Sequence, residues 1–110
     1  MPKFSGLDAV FQALADPTRR AVVERLCAGP ASVSELARPF RMALPSFTQH
    51  LGVLEECGLV RSRKAGRVRT YQLAPQRMLA AERWMSDRRA LWVRRLDQLD
   101  DYLQNLKEKS

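Results

Sequence analysis

Apolar residues recur along the chain at helical spacing, except in one stretch that favours strand. Leu7, Val10, Phe11 and Leu14 make one apolar face and predict a helix over 7–15. Asp16-Pro17-Thr18 opens a second helix. Asp is a good N-cap, and Pro suits the first helical position because its missing N–H had no intrahelical partner. Val22, Val23 and Leu26 supply the buried face, and Ala28-Gly29-Pro30 ends the helix. Ser32-Val33-Ser34-Glu35 reads as a capping box, opening a short helix that Pro39 ends, with Val33 and Leu36 facing the core. A fourth helix runs from about 44 or 45 to 57, with Gly58 as its stop. Phe47, Leu51 and Leu54 share one of its faces; Ser46, Gln49, His50 and Val53 fall elsewhere around the cylinder. Ala43-Leu44 is a weak cap for it.

The pattern then changes. Val60, Val68, Thr70 and Tyr71 favour strand, so residues 59–73 predict a β-hairpin turning at Lys64-Ala65-Gly66. After Pro75 a long helix reaches about 107. Met85, Trp92, Leu99 and Leu106 repeat every seven residues, and Leu96 and Leu103 fill the intervening positions. Trp84-Met85-Ser86-Asp87 leaves open a break into two helices.

Short helix, turn, helix and hairpin is the order of a winged helix-turn-helix. The predicted fold is mostly α with a small β-hairpin: one domain over 1–110, with a core over 7–73, a wing at about 59–73 and a long C-terminal dimerisation helix over 76–107. A helix of about thirty residues is roughly 45 Å long, more than so small a domain covers, so its surplus apolar face calls for a second chain. Leu7, Met85, Trp92, Leu96, Leu99, Leu103 and Leu106 are the candidate dimer contacts. A stripe that is simply core is the plainer alternative.

Charge narrows the partner. Nineteen Lys and Arg stand against twelve Asp and Glu, a formal net charge of +7, which favours an anionic partner. Arg61, Arg63, Lys64, Arg67 and Arg69 crowd into the predicted hairpin with no acid among them. Phosphates would relieve their mutual repulsion; a solvated basic face is the bland alternative. Residues on alternate strand faces cannot all make the same contact. The helix over 45–56 is the candidate major-groove reader. Gln pairs bidentately with adenine, and Ser donates to or accepts from several bases. Ser46, Phe47, Gln49 and His50 are the candidates on it, although an ordinary surface helix would carry a similar pattern.

Other chemistries lack their residues. No Ser/His/Asp grouping, glycine-rich phosphate loop or metal constellation is present, so an enzyme is not expected, and neither is a cofactor. Residues 1–6 hold no apolar run of signal-peptide length, and charges interrupt every apolar stretch short of a membrane span. Cys27 and Cys57 have no CxxC or zinc-knuckle spacing. A reduced, cytoplasmic, nucleoid-associated protein is the expectation. Free cysteines are most often small buried hydrophobes; thiol-based sensing through Cys57 or Cys27 is the sharper alternative. A winged-helix protein-interaction module is another, and it would need no basic wing.

The residues also resemble a known family. Ala13-Leu14-Ala15-Asp16-Pro17-Thr18-Arg19-Arg20 resembles the opening signature of ArsR-family bacterial repressors. Ser34-Glu35-Leu36-Ala37 resembles their brace helix, and Pro45 through Leu51 with Leu54 through Val60 their recognition helix and its exit. Arg67 through Leu73 resembles the wing. The match covers roughly 7–73, in order and at family spacing. It implies a homodimer that binds double-stranded operator DNA at an inverted repeat and usually represses. Ser46, Gln49 and His50 would then face the groove, and the wing arginines would meet backbone or minor groove. Arg19 and Arg20 would stand at the start of the second helix, where one could reach a phosphate. Departures are visible. Glu35-Leu36-Ala37-Arg38-Pro39 stands where arsenic sensors carry cysteines. The last helix has Asp97, Asp100 and Asp101 but no histidine, and His50 alone cannot chelate a transition metal, so a metal sensor is not expected. Gly52 replaces a residue that is frequently basic and costs the helix about 1 kcal/mol relative to Ala.

Overall fold

Caps set most of the element boundaries. In a computed structural model that describes residues 6–109, α1 (Gly6–Leu14) is followed by α2 (Pro17–Leu26), whose N-cap Asp16 accepts the Arg19 amide at 3.0 Å. The reading of residues 1–5 as free of a signal-type run lies outside the described residues. Gly29, at a φ of 137°, and Pro30 turn the chain into a two-residue strand, β1 (Ala31–Ser32). Ser32 then caps α3 (Val33–Ala37) with both halves of the capping box: its Oγ accepts the Glu35 amide at 3.2 Å, and its own amide reaches the Glu35 carboxylate at 3.1 Å.

The fourth helix, α4 (Leu44–Glu56), begins without a side-chain cap at Ala43. Its exit is better made. The Gly58 amide bonds the Glu55 carbonyl at 3.1 Å and the Leu59 amide bonds the Leu54 carbonyl at 3.0 Å, with Gly58 at a φ of 83°. This is a Schellman motif, which satisfies carbonyls the helix cannot and needs the left-handed conformation that glycine adopts freely.

The hairpin is β2 (Val60–Ala65) and β3 (Val68–Leu73), in antiparallel register from Val60 opposite Leu73 to Ala65 opposite Val68. Its turn lies one to two residues later than Lys64-Ala65-Gly66. Ala65 still pairs, and only Gly66 and Arg67 form the loop, with Gly66 at a φ of 62°. A positive φ at the first of two loop residues suits the strand twist. The sheet also has a third strand absent from the sequence reading: β1 joins β3, with Ala31 opposite Tyr71 and Ser32 opposite Thr70.

Val22, Val23, Leu26, Leu36, Leu51 and Leu54 meet Leu59, Val60 and Tyr71 in one buried cluster, with Leu7, Phe11 and Leu14 packed against it. The last helix, α5 (Pro75–Lys109), runs unbroken through Trp84-Met85-Ser86-Asp87. Ala81 is its only buried residue among those described. An edge-to-face contact between Phe11 and Trp84, with ring centroids 5.7 Å apart, ties it to α1. Beyond that contact α5 projects outward, giving a molecule of 74 × 31 × 24 Å.

Candidate nucleic-acid interface

α4 is amphipathic about its own axis, and that decides which of its residues face outward. Phe47, Leu51 and Leu54 pin one side into the core. Ser46, Gln49, Gly52 and Val53 are exposed on the rest of the cylinder. Phe47 is therefore no groove contact: it is 1% exposed and stacks on Phe40, ring centroids 5.3 Å apart. Its helical position, four residues before Leu51, turns it inward although its sequence neighbours face out.

His50 and Arg19 also depart from a simple outward placement. His50 is half-buried, its Nδ1 3.3 Å from the Arg19 guanidinium and 3.7 Å from Asp16 Oδ2. The Arg19 guanidinium donates from Nε to the Ala13 carbonyl at 2.7 Å and from NH2 to the Gln12 carbonyl at 3.1 Å. Each of its three nitrogens has a partner within the domain, so Arg19 is held in place by the fold and does not stand free at the start of α2. Arg20 likewise donates to the Leu14 carbonyl at 2.8 Å.

The hairpin's five cations divide between two sheet faces. Arg61 and Arg63 stand opposite Gln72 and Thr70, on the face away from buried Tyr71. Lys64 and Arg69 stand opposite each other on the Tyr71 side, and Arg67 occupies the turn. Arg69 is partly committed, donating to Ser62 Oγ at 2.8 Å while Ser62 donates to Glu55 Oε2 at 2.6 Å. That relay ties the wing to the last turn of α4. It also engages one of the two acids, Glu55 and Glu56, that would otherwise oppose DNA there. Arg38 and Arg41, exposed just before α4, were not singled out in the sequence; their place in the turn that precedes that helix was the available signal.

These features have counterparts in known proteins. A model of the helix-turn-helix domain matches residues 14–63. The HTH-type transcriptional regulator Rv2034 of Mycobacterium tuberculosis is 49% identical over 87% of this chain and 87% of its own length. The crystal structure of the ArsR family transcriptional regulator RHA00566 is 53% identical, with a TM-score of 0.77 over 80% of this chain and 97% of that one. The chain belongs to the ArsR family. An ArsR-like transcriptional regulator from Rhodococcus sp. RHA1 gives a TM-score of 0.70 at 33% identity, over 86% of this chain and 89% of that one. The transcriptional repressor SdpR of Bacillus subtilis is 28% identical over 72% of this chain and 88% of its own length. ArsR-family proteins are helix-turn-helix, DNA-binding transcriptional regulators and not enzymes.

In this ArsR-family protein the cysteines are unlike each other. Cys27 is exposed. Cys57 is half-buried, and its Sγ donates to the Leu54 carbonyl at 3.4 Å. Burial pushes the Cys57 thiol up, away from the reactive thiolate. Among the described residues no three His, Cys, Asp or Glu side chains gather where they would hold a metal ion. No described helix is long and apolar enough to cross a membrane.

Proposed function

We propose that the chain is a homodimeric repressor that reads an inverted-repeat operator with α4 and steadies itself on the phosphates with its wing. The observation that carries this is the pairing of an outward polar face, Ser46 and Gln49 in the N-terminal half of α4, with a basic wing, Arg67 in its two-residue turn and Lys64 near the end of β2 opposite Arg69. Ser46 and Gln49 would meet base edges. Arg63, Lys64 and Arg67 would neutralise phosphates, with Arg38 and Arg41 adding charge at the start of the reading helix.

The dimer is supported by α5. Met85, Trp92, Leu96, Leu99, Leu103 and Leu106 are each 48–69% exposed. A contiguous apolar stripe of that length marks an interface. A twofold axis through it would set two reading helices about 34 Å apart, one turn of DNA. Repression agrees with the name that SdpR bears, and the site of action would be the nucleoid.

Fluorescence anisotropy on a labelled duplex from the chain's own upstream region, against a shuffled duplex at near-physiological salt, tests the reading. A preference of about a thousandfold or more is expected, a ratio that non-specific electrostatics does not reach. Equal weak binding to both, lost as salt rises, would sink it in favour of a protein-interaction module.

A further inference from the structure

The contacts of Arg19 join three helices at one guanidinium. Its Nε holds the Ala13 carbonyl and its NH2 the Gln12 carbonyl, which also accepts the Ala15 amide at 3.3 Å; both belong to the last turn of α1, where carbonyls run short of helical partners. A cation there also meets the negative end of the α1 dipole. Its backbone amide lies in the first turn of α2, bonded to Asp16 Oδ2. Its NH1 reaches His50 in the middle of α4, one turn beyond Ser46 and next to Gln49. For Nδ1 to accept that bond the imidazole must be neutral, with its proton on Nε2. A planar fork with donors fixed at set angles suits three acceptors at once; a lysine ammonium on a flexible stem does not.

We propose that Arg19 is a positioning residue for DNA reading: through His50 it fixes the angle of α4 against α1, and hence the aim of Ser46 and Gln49. The proposal rests on α4 being the DNA-reading helix. It also gives α1, which packs on α5 through Phe11 and Trp84, a direct polar link to the reading helix. A dimer seated on α5 would thus hold its two readers through the α1–Arg19–His50 path as well as through the core.

A latch and a phosphate ligand behave differently under substitution. Loss of a phosphate ligand lowers the slope of log affinity against log salt by about 0.9, and lysine restores it. Loss of a latch leaves the slope alone and blurs the discrimination between sequences. Partial unfolding lowers affinity for every duplex alike and leaves their ratio intact.

The test is anisotropy on operator and shuffled duplexes across a salt series, for the wild-type chain, Arg19→Ala, Arg19→Lys, His50→Ala and His50→Gln. Amide exchange of the DNA-free proteins runs beside it. Arg19→Lys is expected to lose discrimination by about tenfold, the scale of one base contact, with the salt slope unchanged. His50→Ala should do the same. His50→Gln, whose amide oxygen still accepts from the guanidinium, should recover much of the loss. Amides in α4 and at the end of α1 should exchange faster in Arg19→Lys. Full discrimination in Arg19→Lys would overturn the proposal, as would a slope reduced in Arg19→Ala and restored in Arg19→Lys. A wild-type chain without operator preference would remove the DNA reading instead. The exchange data then decide on the latch alone, and unchanged protection in Arg19→Lys ends it.

Discussion

A methyl group meets opposite fates at two glycines near the end of α4. At Gly52 an added Cβ would touch nothing within 4 Å, and the backbone is already helical. Gly52→Ala is expected to raise unfolding stability by about 1 kcal/mol, measured in urea. At Gly58 the φ is +83° and the added Cβ would lie 2.9 Å from Cγ of Arg77. Gly58→Ala should cost roughly 1–2 kcal/mol from backbone strain, before any cost of moving Arg77. Asp16 offers a residue-scale test with a pH signature. Its hydrogen bond from the Arg19 amide holds its carboxyl below the ordinary value against opposing desolvation, with the Arg19 charge assisting. A lowered native pKa means stability present above the unfolded value and lost as pH falls through the native one. Asp16→Ala should cost about 1 kcal/mol at neutral pH. The gap to wild type should close in acid, below the ordinary carboxylate range, in urea titrations repeated at each pH. The sequence marks Asp16 as a cap because its cue is local. The partnership of Arg19 with His50 spans 31 positions, and no local cue carries it. Phe47 is the reverse case: its spacing to Leu51 and Leu54 already placed it inward, whatever its neighbours do.

At the scale of elements, the hairpin and α4 act as a joined pair. The relay from Arg69 through Ser62 to Glu55 spans them, so not every wing cation is equally free. Replacing Arg63 and Arg67 together by Ala should weaken binding to operator and shuffled duplexes alike. It should also lower the salt slope by roughly 1.8 if each meets one phosphate. Anisotropy across a salt series reads this directly. Helices whose caps are short-range motifs were legible in the sequence: the Asp16-Pro17 start, the Ser32/Glu35 box and the Gly58 stop each occupy a few consecutive residues. The β1 strand was not. Two residues show no alternation, and their pairing with Thr70 and Tyr71 closes only across the fold. The turn was misplaced because Lys64 and Ala65 have little preference that separates strand from loop. Pairing across to Val68 and Arg69 settles them.

For the whole molecule the decisive feature is how little of α5 the other described residues cover. Leu96→Glu with Leu103→Glu should leave the fold intact, since those side chains are 54% and 48% exposed. It should convert the protein to a monomer in sedimentation equilibrium, and operator affinity should fall toward the non-specific value. The heptad stripe was legible from sequence because periodicity is a property of the helix alone. The continuity of that helix past Trp84 was not, since Ser86 and Asp87 are weak helix formers and only the whole span settles their state. An unbroken helix has a further consequence: it is a rigid shaft with a phase. In the proposed dimer, each residue inserted between the core and Met85 would swing a reading head by about 100° about that shaft. A seven-residue insert would bring the heads back to within about 20° but move them roughly 10 Å further along it. Tolerance to inserted length would then follow the turn of the helix, and the preferred separation of operator half-sites would change with it.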